Sequence, residues 1–347
     1  MKRIFTLLLL AGLCPLFAQQ SYYNDVDLTL TGQNLYFALQ QKIEYASNSF
    51  DYGDNKESMK ITDEDPANPN NVLLLYGYDN SGSCTTDRSR NKNNFGGGNC
   101  EYNREHTFAR SNANPPMGSV NNGSTGIVAD PHNIRPSDQQ MNNDRGSKKF
   151  ADGSGHAGNV GSGNWYPGDE WKGDVARIMM YMYTRYGDRC KPSLNGAGPL
   201  QSGTDMLQVY LQWNADDPVT DLEDQRNPYL ETAYGNRNPF IDNPYLATLI
   251  WGGPVAEDRW GMMGTETFLA ENISVYPNPT SEIIWVSDNT SFAVETYAIY
   301  DFSGRRILFN TFNHSEKKVD VSALKSGIYL LELVAESKKI TKKIVVQ

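Results

Sequence analysis

Asn103-Arg104-Glu105-His106 is the stretch on which the reading of this chain turns. It is followed by Asp130-Pro131-His132-Asn133-Ile134-Arg135-Pro136-Ser137-Asp138, and then by Asn142-Asn143-Asp144-Arg145-Gly146. Only four histidines occur in the chain, and His106 and His132 both lie inside these polar clusters. His156 falls in the Gly/Ser-rich run 152–163, where a solvated loop residue is expected, and His314 falls near the C-terminus. Neutral imidazole suits a general base, because its unperturbed pKa lies close to neutrality. A carboxylate with an amide oxygen suits a hard divalent cation, which prefers oxygen ligands and keeps several waters. Glu105, His106 and Asn142 supply those three types. Pro136 is expected to open a helix, with Ser137 to Asn143 forming about two turns. Asn142 would then sit on a short helix facing the end of a strand that carries Glu105 and His106.

Base plus hard-cation ligands is what phosphodiester cleavage asks for, since charge builds on the phosphoryl oxygens while a water loses its proton. Other chemistries fit less well. The chain has no HExxH for a zinc protease, no GxSxG for a serine hydrolase and no GxxxxGK[ST] phosphate loop. Asp169-Glu170 and Asp216-Asp217 read as caps and turn residues. A glycosidase stays open, because the separation of two carboxylates is not legible in sequence.

Composition first argues against a polyanionic partner: the 347 residues carry a formal net charge of -10. The average conceals a local reversal. Between Cys84 and Lys149, nine Lys and Arg face six Asp and Glu, and one of those acids is Glu105. A basic patch therefore coincides with the polar clusters, while its flanks are acidic, so binding of a polyanion should be salt-sensitive.

Lys2 and Arg3 precede an apolar run from Ile4 to Phe17, with Ala18 at its end. That pattern reads as a cleaved signal peptide over 1–18, and no later segment is long and apolar enough to span a bilayer. Export makes a disulfide admissible. Cys84 and Cys100 would close a short polar loop, which in the chain-entropy model contributes about 3 kcal/mol. Cys190 is then left over. Helical patterns run over Leu35–Ala46, Trp171–Tyr186 and Met206–Trp213, and their aromatic and Met stripes read as core.

After Asn272 the apolar period becomes two. Ile283–Val286, Thr296–Tyr300, Arg306–Phe309, Lys318–Val321, Ile328–Val334 and Ile340–Val346 read as strands of a small β-sandwich spanning 272–347. Val275-Tyr276-Pro277-Asn278-Pro279-Thr280, the Tyr300–Gly304 turn and Leu324-Lys325-Ser326-Gly327-Ile328-Tyr329 resemble the C-terminal sorting domain read by the type IX secretion machinery. The resemblance implies passage through the periplasm of a Gram-negative bacterium to the cell surface or the medium.

Residues 20 to about 271 resemble the endonuclease I family, a branch of the His-Me finger (ββα-metal) nucleases. Tyr102–His106, Asp130–Asp138 and Asn142–Gly146 carry the likeness, supported by Asp169–Arg177, Trp213–Pro218 and Gly235–Pro244. It implies an α+β fold, with a mostly helical nuclease domain (19–271) around a ββα-metal motif. It also implies His106 as the base and Glu105 and Asn142 as ligands of Mg²⁺ or Mn²⁺, with Asn143 the register alternative. The family places an arginine near the leaving group. Arg110, Arg135 and Arg145 are candidates. Arg145 is taken for that role, and Arg104, Arg110 and Arg135 for substrate binding. One departure stands out: Thr107-Phe108-Ala109-Arg110 follows the Glu-His pair, where family members often have Trp-Pro or Val-Pro.

The expected protein is a secreted, monomeric, sequence-nonspecific endonuclease acting on DNA, with RNA left open, by His-activated water attack that yields 5′-phosphates. The competing expectation is an exported adhesin or glycan-binding surface protein with an inactive front domain.

Overall fold

The computed structural model describes residues 21–262, 273–288, 294–312, 317–335 and 338–347. The expected signal peptide, the expected junction near 271 and His314 lie outside the described residues. The chain divides into two compact units, Met1–Trp260 and Gly261–Gln347.

The first unit is built of helices α1 (Gly32–Ile43), α2 (Asp54–Thr62), α3 (Gln139–Arg145), α4 (Lys172–Tyr186), α5 (Pro192–Asn195), α6 (Gln208–Asp216), α7 (Asp221–Ala233), α8 (Pro239–Asp242) and α9 (Tyr245–Trp251). Short strands are set among them: β1 (Glu64–Asp65), β2 (Asn68–Leu73), β3 (Ser89–Asn91), β4 (Tyr102–His106), β5 (Ile134–Asp138), β6 (Gly158–Val160) and β7 (Asn164–Tyr166). Helix α4 is the centre. Its Val175, Ile178, Met179 and Met182 are buried as their spacing requires, yet Asp174, Arg177 and Arg185 are buried with them. A helix buried on every side must satisfy such charges internally, and this one does: Arg177 is bound by Glu223 and Arg185 by Asp130. Glu223 also closes a capping box with Thr220 at the start of α7, so one carboxylate serves a helix end and a buried guanidinium.

Strands β4 and β5 pair antiparallel, with Glu105 opposite Arg135 and His106 opposite Ile134. Helix α3 follows at once, capped by Asp138, whose Oδ1 accepts from the Gln140 and Met141 amides, and ended by Gly146 at φ 53°. This corrects the expected helix start. Pro136 and Ser137 belong to β5, because Pro136 is paired across to Arg104 and its carbonyl accepts from the Leu75 amide at 2.8 Å. Helix α3 therefore begins only at Gln139, behind its cap. Cys84 and Cys100 form the expected disulfide, with Cα atoms 5.4 Å apart, and Cys190 is a buried free thiol.

The second unit contains β8 (Ile273–Tyr276), β9 (Ile283–Asp288), β10 (Val294–Tyr300), β11 (Arg306–Thr311), β12 (Lys318–Asp320), β13 (Gly327–Ala335) and β14 (Lys338–Val346). They form two sheets, ordered β11-β10-β13-β14 and β12-β9-β8. Alternate residues (Ile284, Val286, Tyr297, Ile299, Leu331, Leu333, Ile340 and Ile344) make an apolar core between them. The fold is α+β, a helical unit followed by a β-rich one.

Candidate active site

Consecutive residues of a strand face opposite sides, so Glu105 and His106 can share a cleft only where the strand ends and twists away. They do so at the C-terminal end of β4. A cleft of about 580 Å³ is lined by Glu105 and His106 together with Tyr52, Arg104, Arg110 and Asn142.

His106 is 7% exposed. Its Nε2 lies 2.8 Å from the Val128 carbonyl oxygen, an atom that can only accept, so Nε2 carries the proton. Nδ1 is then the basic nitrogen. The Tyr52 ring lies nearly parallel to the imidazole, with centroids 5.5 Å apart at 13°. Burial, aided by Arg110, Arg104 and Arg145 and opposed by the Val128 carbonyl, lowers the His106 pKa to about 4. The ring is therefore neutral, and able to accept a proton, at neutral pH.

Glu105 is buried as well. Its Oε1 accepts from Tyr76 Oη at 2.8 Å and from Arg145 Nη1 at 3.1 Å, and Oε2 accepts no hydrogen bond among the described residues. Burial raises its pKa, against the pull of Arg145 and Tyr76. The Asn142 amide nitrogen donates to Asn103 Oδ1 at 2.6 Å and to the Arg104 carbonyl at 3.4 Å. That leaves the amide oxygen as its remaining polar atom. One carboxylate oxygen and one amide oxygen on a single cleft fit a divalent cation that keeps most of its waters. Among the described residues no group of three His, Cys, Asp or Glu side chains is placed to hold a metal, so a cation here would rest on this mixed pair. Of the two register alternatives, Asn142 lines the cleft, whereas Asn143 is exposed and does not.

The arginines separate in a way the sequence did not anticipate. Arg104 and Arg110 line the cleft: Arg104 donates to the Tyr52 carbonyl at 2.6 Å and Arg110 to the Gly118 carbonyl at 2.8 Å. Arg135 does not reach it. Arg135 is 1% exposed and clamped between Asp63 at 2.5 Å and Asp174 at 2.8 Å, so the substrate-binding role expected of it is replaced by a structural one. Arg145 is fully buried beneath the cleft. It donates to Glu105, to the His106 and Thr107 carbonyls and to Asn195, so it cannot reach a leaving group without breaking the bonds that orient Glu105. It is a positioning residue. His132 is likewise internal: Nε2 donates to the Asn236 carbonyl at 3.2 Å and the ring packs on Tyr181.

Sequence reading missed Tyr52, Tyr76, Asn195 and the Val128 carbonyl. Tyr76 adopts φ 75°, a left-handed conformation that costs a non-glycine residue about 1 kcal/mol or more, and in it the phenol reaches Glu105. Asn195 Oδ1 accepts from the Ala109 amide, and its Nδ2 donates to the Thr107 carbonyl. None belongs to a local motif. The one available hint was Tyr76 closing the apolar run Val72–Leu75 just before a glycine.

A strand–strand–helix unit that brings an imidazole, a carboxylate and an amide oxygen to one arginine-lined cleft carries the groups that phosphodiester hydrolysis asks for. The family description "Endonuclease I" matches residues 31–245, and "Secretion system C-terminal sorting domain" matches residues 274–347. The chain belongs to the Endonuclease I family and ends in a type IX sorting domain. It is 38% identical over 258 residues to an extracellular ribonuclease of Bacillus subtilis (strain 168), covering 70% of this chain and 82% of that protein. The extracellular ribonuclease of Bacillus amyloliquefaciens is similar to the same degree: 38% over 256 residues, 70% of this chain and 81% of that protein. An extracellular deoxyribonuclease of Aeromonas hydrophila is 26% identical over 126 residues, covering 33% of this chain and 50% of that protein. This protein is a nuclease of secreted or surface location, with nucleic acid as its substrate. Among the described residues no helix is long and apolar enough to cross a membrane.

Proposed function

We propose a secreted, sequence-nonspecific endonuclease that uses Mg²⁺ or Mn²⁺ and leaves 5′-phosphates. The nuclease domain is 19–271, preceded by a signal peptide (1–18) and followed by the sorting domain (272–347). The observation that carries the reading is the joint placement of His106, Glu105 and Asn142 on one cleft, with the His106 tautomer set by Val128. His106 Nδ1 takes the proton of the attacking water. A divalent cation on Glu105 and Asn142 would neutralise charge on the phosphoryl oxygens and stabilise the departing 3′ oxygen. Arg110, half-exposed on the cleft wall, is the arginine in reach of the leaving group, in place of Arg145. Arg104, stacked on Tyr52, holds a neighbouring phosphate.

The names of the Bacillus relatives favour RNA as a substrate, and that of the Aeromonas protein favours DNA. Backbone-directed binding accommodates both. The test is incubation of the purified protein with plasmid DNA and with a structured RNA, with and without EDTA. Cleavage abolished by EDTA and restored by Mg²⁺ is expected. Intact substrates under all conditions would instead favour the adhesin reading with an inactive front domain.

A further inference from the structure

In an acidic unit, cations ordinarily find carboxylates, and most of the Lys and Arg side chains here, exposed and buried together, do. Lys42, Lys60, Arg88, Lys92 and Lys191 are ion-paired at the surface, and Arg90, Arg177, Arg226 and Arg237 in the interior. Seven have no carboxylate partner among the described residues, and most of these cluster. Arg104 and Arg110 line the catalytic cleft. Lys148 follows Ser147 of the cleft wall, and its ammonium donates to the Asp144 carbonyl. Arg189 donates to the Pro115 and Pro116 carbonyls at 3.1 Å each, and Pro116 is cleft wall. Lys56, exposed on α2, lies 5.3 Å from the centroid of the Phe95 ring, and Arg104 lies 5.4 Å from the same ring and 3.7 Å from that of Tyr52. Only Lys149, next to Lys148, and Lys172 complete the set.

A guanidinium or ammonium held by carbonyls and ring faces keeps its full charge, whereas one paired with a carboxylate is neutralised. The pattern therefore leaves most of the uncancelled positive charge of this unit around one cleft, with Lys172 the exception among the described residues. Pre-oriented, uncancelled cations are what a line of phosphates requires, and they reach farther than a single scissile phosphate needs.

We propose that Lys56, Lys148 and Arg189 extend the arginines of the cleft into a track that holds several successive phosphates of a polynucleotide backbone, so that the enzyme acts on long strands in preference to short ones. The proposal rests on the nuclease reading above and names the substrate class of that same site. The track reads charge alone, so DNA and RNA strands of equal length respond alike.

The experiment measures kcat/KM across roughly 50 to 200 mM salt, on a DNA and an RNA strand of about 12 nucleotides and on a trinucleotide. Proteins compared are the unaltered chain, Lys56→Gln, Lys148→Gln, Arg189→Gln and, as a control cation away from the cleft, Lys172→Gln. Each track variant should raise KM for the longer strands several-fold and reduce the slope of log kcat/KM against log salt by about 0.7 to 0.9, the share of one phosphate. The loss should be larger on the longer strand than on the trinucleotide, and Lys172→Gln should match the unaltered protein. Arg189 also braces the cleft wall, so Lys56→Gln, on an exposed helix face, is the decisive variant. An unchanged salt slope in Lys56→Gln and Lys148→Gln, or equal losses on both lengths, overturns the track while leaving the nuclease reading intact. Absence of any EDTA-sensitive cleavage by the unaltered protein overturns the nuclease reading and the track with it.

Discussion

Strand β5 and strand β13 are both antiparallel, yet they bury opposite materials. Every residue of β5 is buried, including Arg135, Ser137 and Asp138. In β13 the side chains buried in the core are leucines, and the core they join is almost wholly aliphatic. Burying charge is costly unless each partner is supplied, and the first unit supplies them from distant parts of the chain: Asp63 and Asp174 for Arg135, Tyr76 and Arg145 for Glu105, Asp130 for Arg185. A domain that only has to be recognised can do without such networks. One that must hold a carboxylate and an imidazole dry and correctly turned cannot.

The largest expected effect falls on the chemistry. His106→Ala should lower kcat by about 10²- to 10⁴-fold without loss of fold, the loss expected on removal of a general base. Comparable turnover in that variant, measured on plasmid DNA or RNA, would break the site assignment. Glu105→Ala should lose activity through the cation, so partial rescue by millimolar Mg²⁺ or Mn²⁺ is the expected signature.

Next comes the buried charge itself. Asp63→Asn leaves Arg135 and Arg226 facing a neutral amide and should destabilise the first unit by about 3–5 kcal/mol in urea unfolding. In the sandwich the equivalent damage is a cavity. Leu331→Ala should cost about 2–5 kcal/mol and leave nuclease turnover unchanged, which activity and unfolding measured on the same full chain would separate. Loss of turnover in step with the sandwich would show that the two units are not energetically separate.

The last effect is graded by pH and is smallest near neutrality. Burial lowers the His132 pKa from 6.5 to about 3, so the ring is neutral in the fold and protonates more readily when unfolded. Its contribution is complete above pH 6.5 and is lost as pH falls toward 3, by about 1.4 kcal/mol per pH unit. Thermal unfolding at several pH values should show this slope reduced in His132→Gln. Identical slopes would remove His132 from the account.

Much of this was legible beforehand because it is local. Period-two alternation is enough to pair strands in the sandwich, since one face must be covered whatever the partner. The Glu105-His106 pair and Asn142, which the fold brings to one cleft, could be picked out because base and hard-cation chemistry admits few residue types. The arginines were not. Arg104, Arg110, Arg135 and Arg145 look alike in sequence, and whether each meets phosphate or a buried carboxylate depends on chain brought from tens of residues away. Pro136 misled for a related reason: a proline that can open a helix can equally sit in a strand, and pairing with Arg104 decided between them.

By itself, then, the sequence determined the two-part organisation, the helical and alternating patterns, the disulfide and the three residue types proposed to carry the chemistry. All of these depend on spacing and on the intrinsic properties of side chains. Only the tertiary structure decided which imidazole nitrogen is basic, which carboxylate oxygen is open and which cations stay uncancelled. Those depend on a carbonyl at Val128, a phenol at Tyr76 and carboxylates at Asp63 and Asp174, partners that no local pattern announces because folding alone brings them within hydrogen-bonding distance.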